Sequence, residues 1–81
     1  MSKWDKLIQA ILKRDKGLRF EDLAKALIKM GYTQHQPKSG SSHYTFRKPN
    51  CNPITIPKHT PLNKAYIELV ARLVEEYLEM E

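Results

Sequence analysis

The stretch His43-Tyr44-Thr45-Phe46-Arg47-Lys48-Pro49-Asn50-Cys51-Asn52-Pro53-Ile54-Thr55-Ile56-Pro57 decides the fold. From His43 to Arg47 the residues alternate, with Tyr44 and Phe46 on one face and His43, Thr45 and Arg47 on the other, which is the period of a half-buried strand. Ile54 and Ile56 continue the pattern in a second strand, over 53–57. The prolines at its two ends keep it short, because proline cannot donate to a ladder. Lys48 to Asn52, rich in Asn and Pro, supplies the turn between them. Working back towards the N-terminus, Lys38-Ser39-Gly40-Ser41-Ser42 reads as a bend, and Tyr32-Thr33-Gln34-His35-Gln36, closed by Pro37, reads as another strand. Three strands joined by tight turns predict an antiparallel meander.

On either side of this meander the period changes to that of a helix. Trp4, Leu7, Ile8, Ile11 and Leu12 recur at i, i+3, i+4, i+7 and i+8, as do Phe20, Leu23, Ala24, Leu27 and Ile28. These predict helices near 3–14 and 20–30. Ser2 is placed to cap the first, and Gly17 lies beyond its end. Glu21 and Asp22 sit in the first turn of the second, where the helix dipole favours negative charge. Gly31 suits its end, because it adopts positive φ without steric cost. From Asn63 a third helix carries Ile67, Val70, Ala71, Val74 and Leu78 on one side, with Tyr66, Leu69, Leu73 and Tyr77 widening the stripe. The expected class is α+β, with order α-α-β-β-β-α. The helices cover one face of the sheet and leave the other open. A chain of 81 residues is expected to be one domain.

Charge is unevenly spread. Residues 1–22 carry six Lys/Arg and four Asp/Glu, residues 23–67 seven Lys/Arg and no acid, and residues 68–81 one Arg and five Glu. An acid-free middle stretch of that length suits a polyanion, whose condensed counterions are released on binding. A plain basic surface is the alternative reading. The single cysteine, Cys51, cannot form an internal disulfide, so a reducing compartment is expected. No apolar run nears the ~18–20 residues that span a bilayer, and Met1 to Asp5 lacks the apolar stretch of a signal peptide. Cytoplasmic location and no membrane partner follow as expectations.

Chemistry centres on His43. It follows a Gly/Ser bend, opens a strand and by alternation points to the open face. Imidazole exchanges a proton near neutral pH. Ser41, Ser42 and the backbone around Gly40 offer donors to a phosphate, while Lys38, Arg47, Lys48 and Lys58 could hold its charge. RNA brings its own nucleophile, the 2′-hydroxyl, so cleavage needs only proton transfer and stabilisation of a phosphorane-like transition state. Taken alone, a single histidine also reads as an ordinary exposed strand residue. His59, just past the last strand, could assist at the same site or simply occupy a loop, and His35 reads as solvent-facing. No metal is expected, since the His and Cys positions show no ligand spacing and residues 23–67 hold no carboxylate. No cofactor is expected either: three isolated glycines form no phosphate-binding loop, and no Asp lies after Asp22 to complete a Ser-His-Asp arrangement. Cys51, among Asn and Pro, reads as incidental, and Tyr44 and Phe46 read as core rather than as a base-stacking pair.

Several of these pieces in order resemble the HicA family of bacterial and archaeal toxins. They are Phe20-Glu21-Asp22-Leu23, Met30-Gly31-Tyr32, Ser39-Gly40-Ser41-Ser42-His43, Phe46-Arg47-Lys48-Pro49, Ile54-Thr55-Ile56-Pro57-Lys58-His59 and Lys64-Ala65-Tyr66. The resemblance implies a double-stranded-RNA-binding-like fold over 18–81, preceded by an additional helix within 1–17. It also implies a messenger-RNA interferase with one catalytic histidine, at His43, and a HicB-like antitoxin protein as partner, the free toxin being a monomer. This chain departs from the family's Gly-Ser-His by one extra serine. Two other readings fit the residues: a non-catalytic RNA-binding module, and a winged-helix-like DNA binder. The latter would need base-reading side chains on helix 20–30, whose outer face offers Lys25 and Lys29.

Overall fold

The computed structural model describes residues 3–36, 42–59 and 61–80. The chain is α+β. It runs α1 (Lys3–Leu12), α2 (Phe20–Lys29), β1 (Thr33–His35), β2 (His43–Arg47), β3 (Ile54–Pro57) and α3 (Lys64–Glu79), and its three strands form one antiparallel sheet in the order β1-β2-β3. Ser2, the expected cap of α1, and Pro37, the expected close of β1, lie outside the described residues.

Strand register follows from the alternation. Phe46 pairs with Ile54 on one side and Gln34 on the other, and Tyr44 pairs with Ile56. This row faces inward: Phe46 and Ile56 are fully buried, and Ile54 nearly so. The rings of Tyr44 and Phe46 lie 5.0 and 6.1 Å from that of Phe20, so α2 is seated on this face and both aromatics serve the core. The intervening residues form the open face. Thr33, His35, His43, Arg47 and Thr55 are exposed there, and the Thr45 and Thr55 hydroxyls meet across the strands at 3.3 Å. Cys51 N–H closes the β2–β3 turn on the Lys48 carbonyl at 3.1 Å, with Asn50 in the left-handed region at φ 65. Asn tolerates that region better than most residues, which is why it suits the turn.

The first two helices end in the same motif on different residues. After α2, Gly31 takes φ 106. Its N–H bonds the Ile28 carbonyl and the Tyr32 N–H bonds that of Leu27, both at 3.0 Å, in a Schellman arrangement. After α1 the left-handed residue is Arg14, at φ 54, and not Gly17. Arg14 N–H reaches Ile11 O at 2.9 Å and Asp15 N–H reaches Ala10 O at 3.1 Å. The helix thus stops at Leu12, two residues short of the expected end. α3 starts on Asn63, whose side chain accepts from Ala65 N–H at 2.8 Å. At the start of α2, Asp22 accepts from the Arg19 N–H at 2.9 Å, satisfying one of the orphan donors of a helix N-terminus.

Ile8 and Ile11 of α1, Leu23, Ala26 and Leu27 of α2, and Ile67, Val70, Ala71 and Val74 of α3 join the sheet's inner row in one buried cluster. The first helix therefore belongs to the core rather than standing outside it. Three positions of the expected apolar stripes are open: Ile28 is 51% exposed, Leu78 42% and Leu69 39%. Ile28 lies at the margin of an α2 stripe whose buried arc swings towards Ala26 and Met30, and Leu78 lies near the end of a helix longer than the sheet it covers. Arg14 ties α1 to α3 through Glu68 Oε2 at 2.7 Å and Glu75 Oε1 at 3.5 Å. Among the described residues no helix is long and apolar enough to cross a membrane.

Candidate functional site

The open face ends in a patch built by the last pairing of β2 with β3. His43 opens β2 opposite Pro57, and the ladder continues one step further, where Lys58 N–H donates to the Ser42 carbonyl at 2.8 Å. After this bond the chain turns. His59 N–H bonds the Pro57 carbonyl at 3.1 Å, a three-residue turn centred on Lys58. That turn carries His59 back towards the head of β2. Its ring meets the His43 ring edge-on with centroids 6.4 Å apart, and its Nε2 lies 3.4 Å from Ser42 Oγ.

Of the residues expected at a phosphate, the fold therefore gathers the side chains of His43, Ser42 and His59 at one corner, and Lys58 adjoins them through its backbone bond to Ser42. His43, Lys58 and His59 are exposed and Ser42 is half-buried. Lys38, Gly40 and Ser41 lie outside the described residues. Arg47 is on the same face at the far end of β2, four residues or roughly 13 Å from His43 at strand rise. Lys48 is elsewhere. One residue further along, it turns to the helical side, where its Nζ stands 5.5 Å from the Tyr32 ring centre and 5.6 Å from that of Tyr77. Its stem passes close to Gly31, where an added Cβ would lie 3.4 Å from Lys48 Cε. Lys48 is thus held by a cation–π contact that sequence spacing had no means of showing.

His35 sits on β1 opposite Thr45, in the row that runs on to Thr55. Cys51 is exposed in its turn. The Tyr32 hydroxyl is pushed above its ordinary range, first by burial and then by Cys51 beside it. Among the described residues, no three His, Cys, Asp or Glu side chains gather as a metal ion would require. Lys25 and Lys29 are exposed on α2, where they border a groove shared with α1, and Lys29 Nζ stands 6.0 Å from the Trp4 ring.

Chemically, the corner offers two imidazoles and one hydroxyl, at the end of a sheet drawn from a stretch without a carboxylate. These are groups that bind a phosphodiester and move protons around it. Comparison with known proteins finds no matching family model, no matching curated protein and no matching solved structure.

Proposed function

We propose that the chain is a HicA-like toxin, a metal-independent endoribonuclease that cleaves messenger RNA with His43 as its catalytic histidine. The observation that carries this reading is the exposed position of His43 at the end of an acid-free sheet face, with Ser42, Lys58 and His59 brought beside it by backbone pairing. The order α-β-β-β-α after α1 supports assigning residues 18–81 to the double-stranded-RNA-binding-like fold. On this reading the RNA lies along the open face, the Lys58 ammonium and the Ser42 hydroxyl hold the scissile phosphate, and His43 exchanges a proton with it. The 2′-oxygen attacks phosphorus, the bond to O5′ breaks, and the products are a 2′,3′-cyclic phosphate and a 5′-hydroxyl. A toxin of this kind acts in the cytoplasm and is neutralised by a HicB-like antitoxin that covers the patch.

Purified protein incubated with RNA in the presence of EDTA is the direct test. Cleavage should proceed, and His43→Ala should slow it by about 10²–10⁴-fold, the usual contribution of a positioned acid or base, while circular dichroism stays unchanged. A second reading, a non-catalytic RNA-binding module, is favoured by the uncharged polar row His35–Thr45–Thr55, which can meet RNA without reacting with it. Salt-sensitive RNA binding by the wild-type protein with no products under any condition would establish that alternative.

A further inference from the structure

We infer that His59 is a second catalytic residue, forming an acid–base pair with His43 across one scissile phosphate. This rests on the ribonuclease reading above and goes beyond it by giving the second proton a named side chain. Transesterification moves two protons. One leaves the 2′-hydroxyl as its oxygen bonds to phosphorus, and one joins O5′ as the P–O5′ bond breaks. A lone imidazole can serve one of these directly and leaves the other to water.

The geometry supplies the second group. The rings of His43 and His59 border the same exposed patch with centres 6.4 Å apart, set edge-on at 85°. Both can therefore direct a nitrogen at one phosphoryl group from different sides, each needing to come within about 2.6–3.2 Å of its oxygen. The arrangement is held by the backbone. Lys58 N–H on Ser42 O at 2.8 Å and His59 N–H on Pro57 O at 3.1 Å fix the turn that returns His59 to the head of β2. The Ser42 hydroxyl, 3.4 Å from Nε2, orients the ring. A loop histidine with no role has no need of that double tether.

His59→Ala, at an exposed position, should fold normally, bind a non-cleavable 2′-deoxy-substituted RNA as the wild type does, and cleave ordinary RNA 10²-fold or more slowly. The wild-type pH–rate profile should be bell-shaped and lose one limb in this variant. RNA with sulfur in place of the scissile O5′ has a leaving group that needs no proton. It should restore the rate of whichever variant, His43→Ala or His59→Ala, has lost the acid, and leave the other slow. Recovery of neither or of both overturns the pair. So does a His59→Ala protein that cleaves at the wild-type rate while His43→Ala is inactive, a result that would leave the ribonuclease reading standing. A wild-type protein that cleaves no RNA overturns that reading itself, and the pair with it.

Discussion

At the scale of single residues, Arg14 shows how side-chain contacts can override local preference. A left-handed turn after a helix favours glycine, and a glycine is available three residues on, yet the chain turns at Arg14. What holds it there is its guanidinium. Nε donates to Glu68 at 2.7 Å, NH1 to the Leu12 carbonyl at 2.6 Å, and NH2 approaches Glu75. The hydrogen bond from Arg14 holds the Glu68 carboxyl below its ordinary range. A carboxylate depressed in the folded state stabilises above its unfolded pKa, and that stabilisation is lost as pH falls through the folded value. Arg14→Ala, which keeps the strained backbone and loses the clamp, should therefore unfold at a lower temperature than the wild type at pH 7. The gap should narrow as pH falls through the lowered range in which Glu68 takes up its proton. Arg14→Gly relaxes the turn and should lie above Arg14→Ala at both pH values. Thermal unfolding of the three proteins at pH 7 and pH 3 checks the order.

At the scale of elements, the hairpin is legible in the sequence because period two leaves no choice of face. A one-residue slip would send Phe46 and Ile56 to solvent and His43 and Thr45 into the core. The helices are legible for the same reason at period 3.6, but their margins are not: Ile28 and Leu78 fit the stripe and lie outside the core, since the width of a buried arc depends on what packs against it. The direction of His43 could be read from alternation. The return of His59 could not, because it depends on a turn that periodicity does not encode, nor could the capture of Lys48 between two tyrosines distant in the chain. The role of α1, surface or core, is a tertiary question that its own stripe leaves open. With Ile11 fully buried and Ile8 nearly so, α1 completes the core. Ile11→Ala should consequently cost about 2–5 kcal/mol, the range for emptying a packed aliphatic site. That is a large share of the total for so small a domain. Urea titration would read it as a lowered midpoint at unchanged slope; a midpoint equal to the wild type's would place α1 outside the cooperative unit.

At the scale of the whole molecule, charge is sorted by surface. The acids of α3 are partly engaged, Glu68 by Arg14 and Arg72 and Glu75 by Arg14, while the open sheet face draws all its residues from a stretch with no acid. On the proposed RNA reading, the polyanion is steered to that face, and each phosphate neutralised there would release counterions. Arg47 and Lys48, neighbours in sequence with the same formal charge, separate the consequences. Arg47 is exposed on the open face opposite Thr33. Lys48 has its charge over the rings of Tyr32 and Tyr77 on the helical side. Arg47→Gln should weaken binding to 2′-deoxy-substituted RNA and reduce the slope of log K against log salt by about 0.7, the value for one single-strand phosphate contact. Its unfolding temperature should not move. Lys48→Gln should leave the slope unchanged and instead lower stability by about 0.5–2 kcal/mol, the worth of a cation–π contact between exposed and desolvated limits. Titrating both variants over a range of salt beside a thermal melt makes the comparison. Equal losses of slope would mean that RNA wraps past the end of β2 to the helical side, and that the open face is only part of its track.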